Sequence, residues 1–477
     1  MPTPWMRFWS LRSLSLLLPV VYLAAGCVDE RIVYEDVRFP PLPDGAASFV
    51  GYSDNAAKET VCGNCHVGQH ADWETSAHSG AWETLEESGA AQAFCENCHT
   101  VGQLGNVAAQ PGGWEATRDE RYHDVQCESC HGPGLAHIEN PDVDANVPLA
   151  PLAVGGDLTI GCGECHNGTH HPFVEEWEQS GHGNVQTSAA ARAECNGCHT
   201  AENVLLAWGV RDDYLEKNEV LTNATSHLPI TCGVCHDAHA NDNEGQLRFP
   251  IDVPSEEQNL CMKCHHKRGV PDPTTFRGPH SPEGPVLLGY GGWWPPNMEF
   301  PEGGVVATHG SERNPRLCAG CHVTSYTVTD DATGDFQFQS TGHLFQAIPC
   351  LENGIPTTGD CGIAERSFRS CTGAGCHQTE DVGRSLLTLV ETRLEDLVEE
   401  LEALLDRVPA SEFSTTDNRY TTAEGSQFNV DLAKVTGSGV HNPVLLETLL
   451  RGSIRQVRSD YGLASQTGVS LEQQLGR

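Results

Sequence analysis

Cys62-Gly-Asn-Cys65-His66 sets two thiols three positions apart with an imidazole directly behind them, and the same order returns seven more times along the 477 residues. The further sets are Cys95/Cys98/His99, Cys127/Cys130/His131, Cys162/Cys165/His166, Cys195/Cys198/His199, Cys232/Cys235/His236, Cys261/Cys264/His265 and Cys318/Cys321/His322. Scattering the chain's own 21 cysteines and 23 histidines at random would produce about 0.04 such motifs. Eight therefore carry chemistry. Cys-x-x-Cys-His is the attachment pattern of haem c: the thiols add across two porphyrin vinyl groups, and the next residue turns its imidazole onto the iron. Zinc sites have no need of a histidine after every second cysteine. A thiol-redox Cys-x-x-Cys occurs once in a domain, not eight times.

A ninth set is longer. Cys371-Thr-Gly-Ala-Gly-Cys376-His377 has four residues between its cysteines, and its two glycines let the loop bulge while both sulfurs still reach one haem. The other reading of Cys371 is a disulfide or a free thiol. The expectation is nine haems c, eight of them on the standard motif. Cys350 and Cys361 have no histidine behind them and are expected to form a local disulfide.

The first six sets fall into two copies of a three-motif unit. Cys62 to Cys95 and Cys162 to Cys195 are both 33 residues apart, and Trp73-Glu-Thr-Ser-Ala-His78 matches Trp177-Glu-Gln-Ser-Gly-His182. His123 and His227 precede the third motif of each copy, and His137 and His239 follow it. Three extra histidines per three motifs is the count that bis-histidine ligation requires. Methionine supports this reading: beyond the first 26 residues only Met262 and Met298 remain, so at most one iron has the His/Met ligation that raises potential. For the last three motifs the candidates are His280, His309, His343 and His441, four for three places. His70, His170, His171 and His266 read better as solvated surface histidines.

Phe49-Val50-Gly51, the Trp73-x4-His78 step and Cys127-x-x-Cys130-His131-Gly-Pro-Gly134 with His137 resemble the tetrahaem cytochromes that accept electrons from hydroxylamine oxidoreductase. Their wider superfamily includes octahaem oxidoreductases and pentahaem nitrite reductases. The resemblance covers about residues 49–240 and implies haems stacked or set perpendicular, close enough for fast electron hopping. Gly439-Val440-His441-Asn442-Pro443 resembles the start of the C-terminal helices of the nitrite-reductase group. The Cys-x-x-Cys-Lys of those reductases is missing from this chain.

The N-terminus reads as a processing signal. Arg7 and Arg12 precede an apolar run too short for a permanent span, ending in Leu23-Ala-Ala-Gly-Cys27. That ending resembles a bacterial lipobox, which implies cleavage before Cys27, lipidation of its thiol and, with Val28 next, transfer to the outer membrane. The other reading is an ordinary secretory signal. Losing Arg7 and Arg12 takes the formal charge from −37 to −39, which excludes nucleic acid as a partner. The domain reading is 1–26 signal, 27–60 anchor linker, 61–240 tandem three-haem units, 241–345 haems seven and eight, and 346–477 haem nine with C-terminal helices.

Hydrophobic residues are 38% of the chain, below the usual share, so porphyrin has to supply part of the interior. Residues 269–303 are rich in Gly and Pro and read as an irregular loop; residues 323–340 suit one hairpin. Leu386, Val390, Leu394, Leu397, Leu401, Leu404 and Val408 predict a helix over 380–408 before Pro409, and a second starts at Asn442-Pro443. Their leucine stripe has two readings, packing within the chain and a seam to a second copy. The expected fold is mainly α with much irregular loop and little β: a haem-packed multihaem cytochrome c with a C-terminal helical pair. The expected function is conducting or storing electrons in the bacterial envelope, between other redox proteins. The alternative is a multihaem oxidoreductase acting on small nitrogen or sulfur compounds, which needs an open iron position.

Overall fold

A computed structural model describes residues 48–150, 161–210 and 227–463, apart from residues 240, 297, 331, 374, 375 and 418. The signal, Cys27 and most of the linker lie outside the described residues. Three two-stranded antiparallel sheets punctuate a chain of short helices and loops. Strands β1 (Tyr52–Asp54) and β2 (Glu59–Thr60) lead into the first motif. Helix α1 (Val67–Glu74) carries Trp73, α2 (Phe173–Gln179) carries its repeat partner Trp177, and α3 (Ala201–Ala207) follows the fifth motif. The expected hairpin is β3 (Tyr326–Thr329) against β4 (Phe336–Ser340). A further pair, β5 (Cys350–Glu352) with β6 (Ile355–Thr357), has no strong sequence signal and sits beside the expected Cys350–Cys361 disulfide.

The repeat holds in three dimensions. The indole of Trp73 donates to the Val125 carbonyl at 2.8 Å, and that of Trp177 to the Ile230 carbonyl at 2.8 Å. Ser76 and Ser180 each return a hydroxyl hydrogen bond to the tryptophan carbonyl three residues back, at 2.7 Å in both copies. The carbonyls of His78 and His182 accept from Val125 and Ile230, each at 3.1 Å. Each tryptophan-to-histidine turn is thus fastened to the strand-like segment before the third motif of its own copy.

Beyond the motifs the chain folds like an ordinary helical protein. Helices α4 (Glu380–Leu405), α5 (Thr422–Lys434) and α6 (Pro443–Asp460) pack around one apolar cluster that includes Leu394, Leu397, Leu401, Leu445, Leu449 and Ile454. Thr379 caps α4, Thr421 and Glu424 form a capping box on α5, and the Asn442 side chain accepts from Leu445 N–H at 2.9 Å with Pro443 at the first helical position. The middle helix α5 turns the expected pair into a three-helix bundle. From Val390 onward the leucine stripe packs within the chain, while Leu386 is exposed. The Gly/Pro-rich segment also docks on the bundle: Trp293 N–H donates to Asn429 Oδ1 at 2.7 Å and the Trp293 carbonyl accepts from Asn429 Nδ2 at 2.8 Å, and a Cβ on Gly292 would collide with Leu449. Among the described residues no helix is long and apolar enough to cross a membrane.

Candidate haem-binding sites

Each motif is a helical turn, because only a turn brings two cysteines and the following histidine to one side. The histidine N–H donates to the first cysteine's carbonyl at 2.9 Å in the first, fourth, sixth and eighth motifs and at 3.0 Å in the seventh. The ninth set makes the same bond: His377 N–H reaches the Cys371 carbonyl at 3.0 Å despite the two extra residues, part of whose loop lies outside the described residues. None of the eighteen motif cysteines is in a disulfide. Among the described residues no three or more His, Cys, Asp or Glu side chains converge as a metal cage, so these groups are not arranged as zinc ligands.

Eight motif histidines face a second histidine. The ring centres are 6.0–6.3 Å apart in the pairs His66–His137, His166–His78, His131–His239, His265–His182, His199–His280, His236–His343, His377–His309 and His322–His441. An imidazole nitrogen binds a metal at about 2 Å, and its ring centre lies about 1 Å further back, so two imidazoles on opposite sides of one metal have centres about 6 Å apart. The residues therefore fit an iron between each pair. Ring planes range from near parallel (9°, His131–His239) to near perpendicular (79°, His182–His265), as rotation about the nitrogen–metal axis allows.

Several of the far ring nitrogens are anchored, while Nδ1 of His137, His343 and His441 is buried without a hydrogen-bond partner. Nδ1 of His99, His131, His236, His309 and His322 bonds to the carbonyls of Ala81, Pro148, Gly245, Val440 and Phe345 at 2.6–2.9 Å. Glu283 stands 3.3 Å from His265 Nδ1. Such contacts set the tautomer and leave Nε2 free to coordinate. The buried carboxylate of Glu176 accepts from Ser340 Oγ, Thr341 N–H, Thr341 Oγ1 and His343 N–H at 2.6–3.0 Å, and so holds the segment that presents His343. Burial pushes His166, His182, His343 and His441 down to about 4; their imidazoles stay neutral, the form a metal takes.

The structure does not bring His123 or His227 opposite a motif histidine. His123 stacks on Trp82 at 3.9 Å and lies 4.7 Å from the Trp114 ring, while His227 Nδ1 bonds to Glu202 at 2.7 Å. None of His280, His309, His343 and His441 is spare, since all four face motif histidines. Met262 is fully buried in a small apolar cluster, and Met298 packs against Gly452 of α6. His99 is the one motif histidine without a facing ring among the described residues. The anchoring acids Glu176, Glu202 and Glu283 escaped the sequence reading, because a lone Glu in a strongly acidic chain carries no local signal.

The cysteines also set the motifs in a spatial order. The side chains of Cys62 and Cys127, of Cys162 and Cys232, and of Cys261 and Cys318 stand next to one another. Cys130 interacts electrostatically with Cys162 and Cys165, Cys235 with Cys261, and Cys321 with Cys371 and Cys376. Motifs one, three, four, six, seven, eight and nine therefore follow one another. Motif two joins at four through Cys98 and Cys165, and motif five at seven through Cys198 and Cys264.

Two family models match the chain. Residues 61–132, with the first three motifs, match Cytochrome c554 and c-prime, and residues 227–269, with the sixth and seventh, match the Doubled CXXCH motif. No curated protein and no solved structure matches. Together with the repeated motifs, these matches define a multihaem c-type cytochrome that binds haem covalently and transfers electrons.

Proposed function

We propose that this chain is a nine-haem electron conduit of the bacterial envelope, held to a membrane by a lipid on Cys27. The observation that carries the reading is the set of eight facing imidazole pairs, each at the spacing of two ligands on one metal. Bound haem supplies one-electron oxidation and reduction without making or breaking bonds. The chain's part is to hold each site rigid, to offer a pair of neutral imidazoles that would hold the iron at eight of the nine sites, and to line up motifs one, three, four, six, seven, eight and nine. Histidine on both faces keeps potentials low. The match to Cytochrome c554 and c-prime over the first three motifs supports exchange with other redox proteins.

The intact mass of the matured protein is expected to show nine haem additions. Eight would remove the Cys371/Cys376 site, and four or fewer would overturn the conduit. Cys27→Ser is expected to move the protein from the membrane to the soluble fraction with its spectrum unchanged. The second reading, an enzyme with an open iron, is favoured by one observation, the lone imidazole of His99.

A further inference from the structure

The second site is the exception among nine, and the rest of the molecule says what completes it. We propose that His171 is the sixth ligand of the haem held by Cys95, Cys98 and His99, so that the open position suggested by the lone imidazole is closed from the neighbouring repeat. The inference rests on reading the facing imidazoles as iron ligands.

Three observations carry it. The first is the register between copies. His78 follows the first motif and faces the fourth; three motifs later, His182 follows the fourth and faces the seventh. The fifth motif is faced by His280, which follows the seventh. Moving that relation back by three motifs assigns the second motif a histidine that follows the fourth, and His170 and His171 stand there. The spatial relation is the same in both copies, since Cys98 meets Cys165 as Cys198 meets Cys264.

Elimination is the second. Seven histidines stand outside the eight pairs. His70 accepts from Thr60 N–H at 3.2 Å, His170 stacks on Phe336 at 4.5 Å and 2°, His227 bonds to Glu202, and His266 Nδ1 bonds to the Met262 carbonyl at 2.7 Å, while His123, stacked on Trp82 with a buried and unpartnered Nε2, is the rival that the test separates. Among the described residues, the His171 side chain has no hydrogen bond and no ring partner. His99 is anchored through Nδ1 and has Nε2 to offer.

Placement is the third. Gln339 N–H donates to the Thr169 carbonyl at 3.0 Å, which ties the loop after the fourth motif to β4, and the Gly168 carbonyl accepts from His171 N–H at 3.0 Å. Gly105 N–H donates to Glu164 at 2.6 Å, fastening the segment after the second motif to the fourth. His171 also lies within electrostatic range of His99.

The test is spin state in the full, matured protein. Wild type is expected to be low-spin at every haem and not to bind carbon monoxide. His171→Ala should keep its full haem mass and gain one high-spin, carbon-monoxide-binding iron, whereas His123→Ala and His170→Ala should gain none. His171→Met should stay low-spin and raise one potential, since thioether favours ferrous iron. A wild type with one high-spin haem that His171→Ala leaves unchanged overturns the inference. So does a high-spin signal appearing in His123→Ala instead. Haem mass distinguishes these outcomes from failure of the conduit itself: a short count strikes the conduit, an unmoved spin state only the ligand.

Discussion

The C-terminal bundle and the motif-bearing body solve the problem of an interior in different ways. In the bundle, Leu394, Leu397, Leu401, Leu445, Leu446, Leu449 and Leu450 meet in one continuous buried cluster, the arrangement that drives ordinary helical folding. Among the described residues of 48–377 the motif-bearing body has only scattered clusters, such as Phe49 with Val101, Trp114 and Tyr122, or Ala201 with Val204, Leu205 and Val234. Between them stand thiols and imidazoles. The contrast separates a region that carries its own core from one that borrows it from a covalently attached cofactor.

The hardest blow to that contrast is to withhold the cofactor. Full-length chain made in a host without haem-attachment machinery should keep slow amide exchange over 380–460 and lose it across 61–377. Hydrogen exchange that stays slow in both regions would break the comparison outright.

A cut into the other region sharpens it. Leu401 is fully buried at the centre of the bundle, so Leu401→Ala should cost about 2–5 kcal/mol of bundle stability. The haem absorbance should not change, because no motif residue belongs to that cluster. Chemical denaturation followed by far-ultraviolet and haem absorbance checks both halves of the statement.

A smaller effect is expected at Glu176. Its carboxylate takes hydrogen bonds from Ser340, Thr341 and His343, and Glu176→Gln replaces an acceptor by a donor among those donors. The cost should be about 1–3 kcal/mol. One redox potential should also move, because His343 faces His236. A melting shift with every potential unmoved would reduce Glu176 to a packing role.

The smallest effect is in pH. Burial pushes the Glu128 carboxyl up to about 7 from an ordinary 4.5, against amide hydrogen bonds from Val50, Gly51 and Gly134 that favour the charged form. The folded state therefore holds a proton that the unfolded state releases. Its contribution to stability is complete below about 4.5 and is lost as pH rises through about 7. Glu128→Gln should flatten that slope in denaturation midpoints taken across the range.

Much of the site was legible because it is local. Two cysteines and a histidine within five residues share one helical turn wherever the chain runs, so attachment points and proximal ligands follow from spacing alone. The leucine steps of α4 and the Asn442-Pro443 start of α6 are local in the same sense. The short helix α5, with Gly425 and few leucines, is helical because it fills the gap between them. His123 and His227 show the limit. They recur in matching places, as ligands would, yet Trp82 and Glu202 hold them.

Which imidazole faces which motif had to wait for the folded chain. Residue counting implied the supply of distal histidines but not their pairing, since His78 serves its neighbour repeat and His309 reaches a motif past the hairpins. Such pairs are closed by packing between segments far apart in the chain, and the spacing alone does not say which motif a histidine faces. Covalent chemistry is written in adjacent residues; the second axial ligand is whatever the assembled fold brings across.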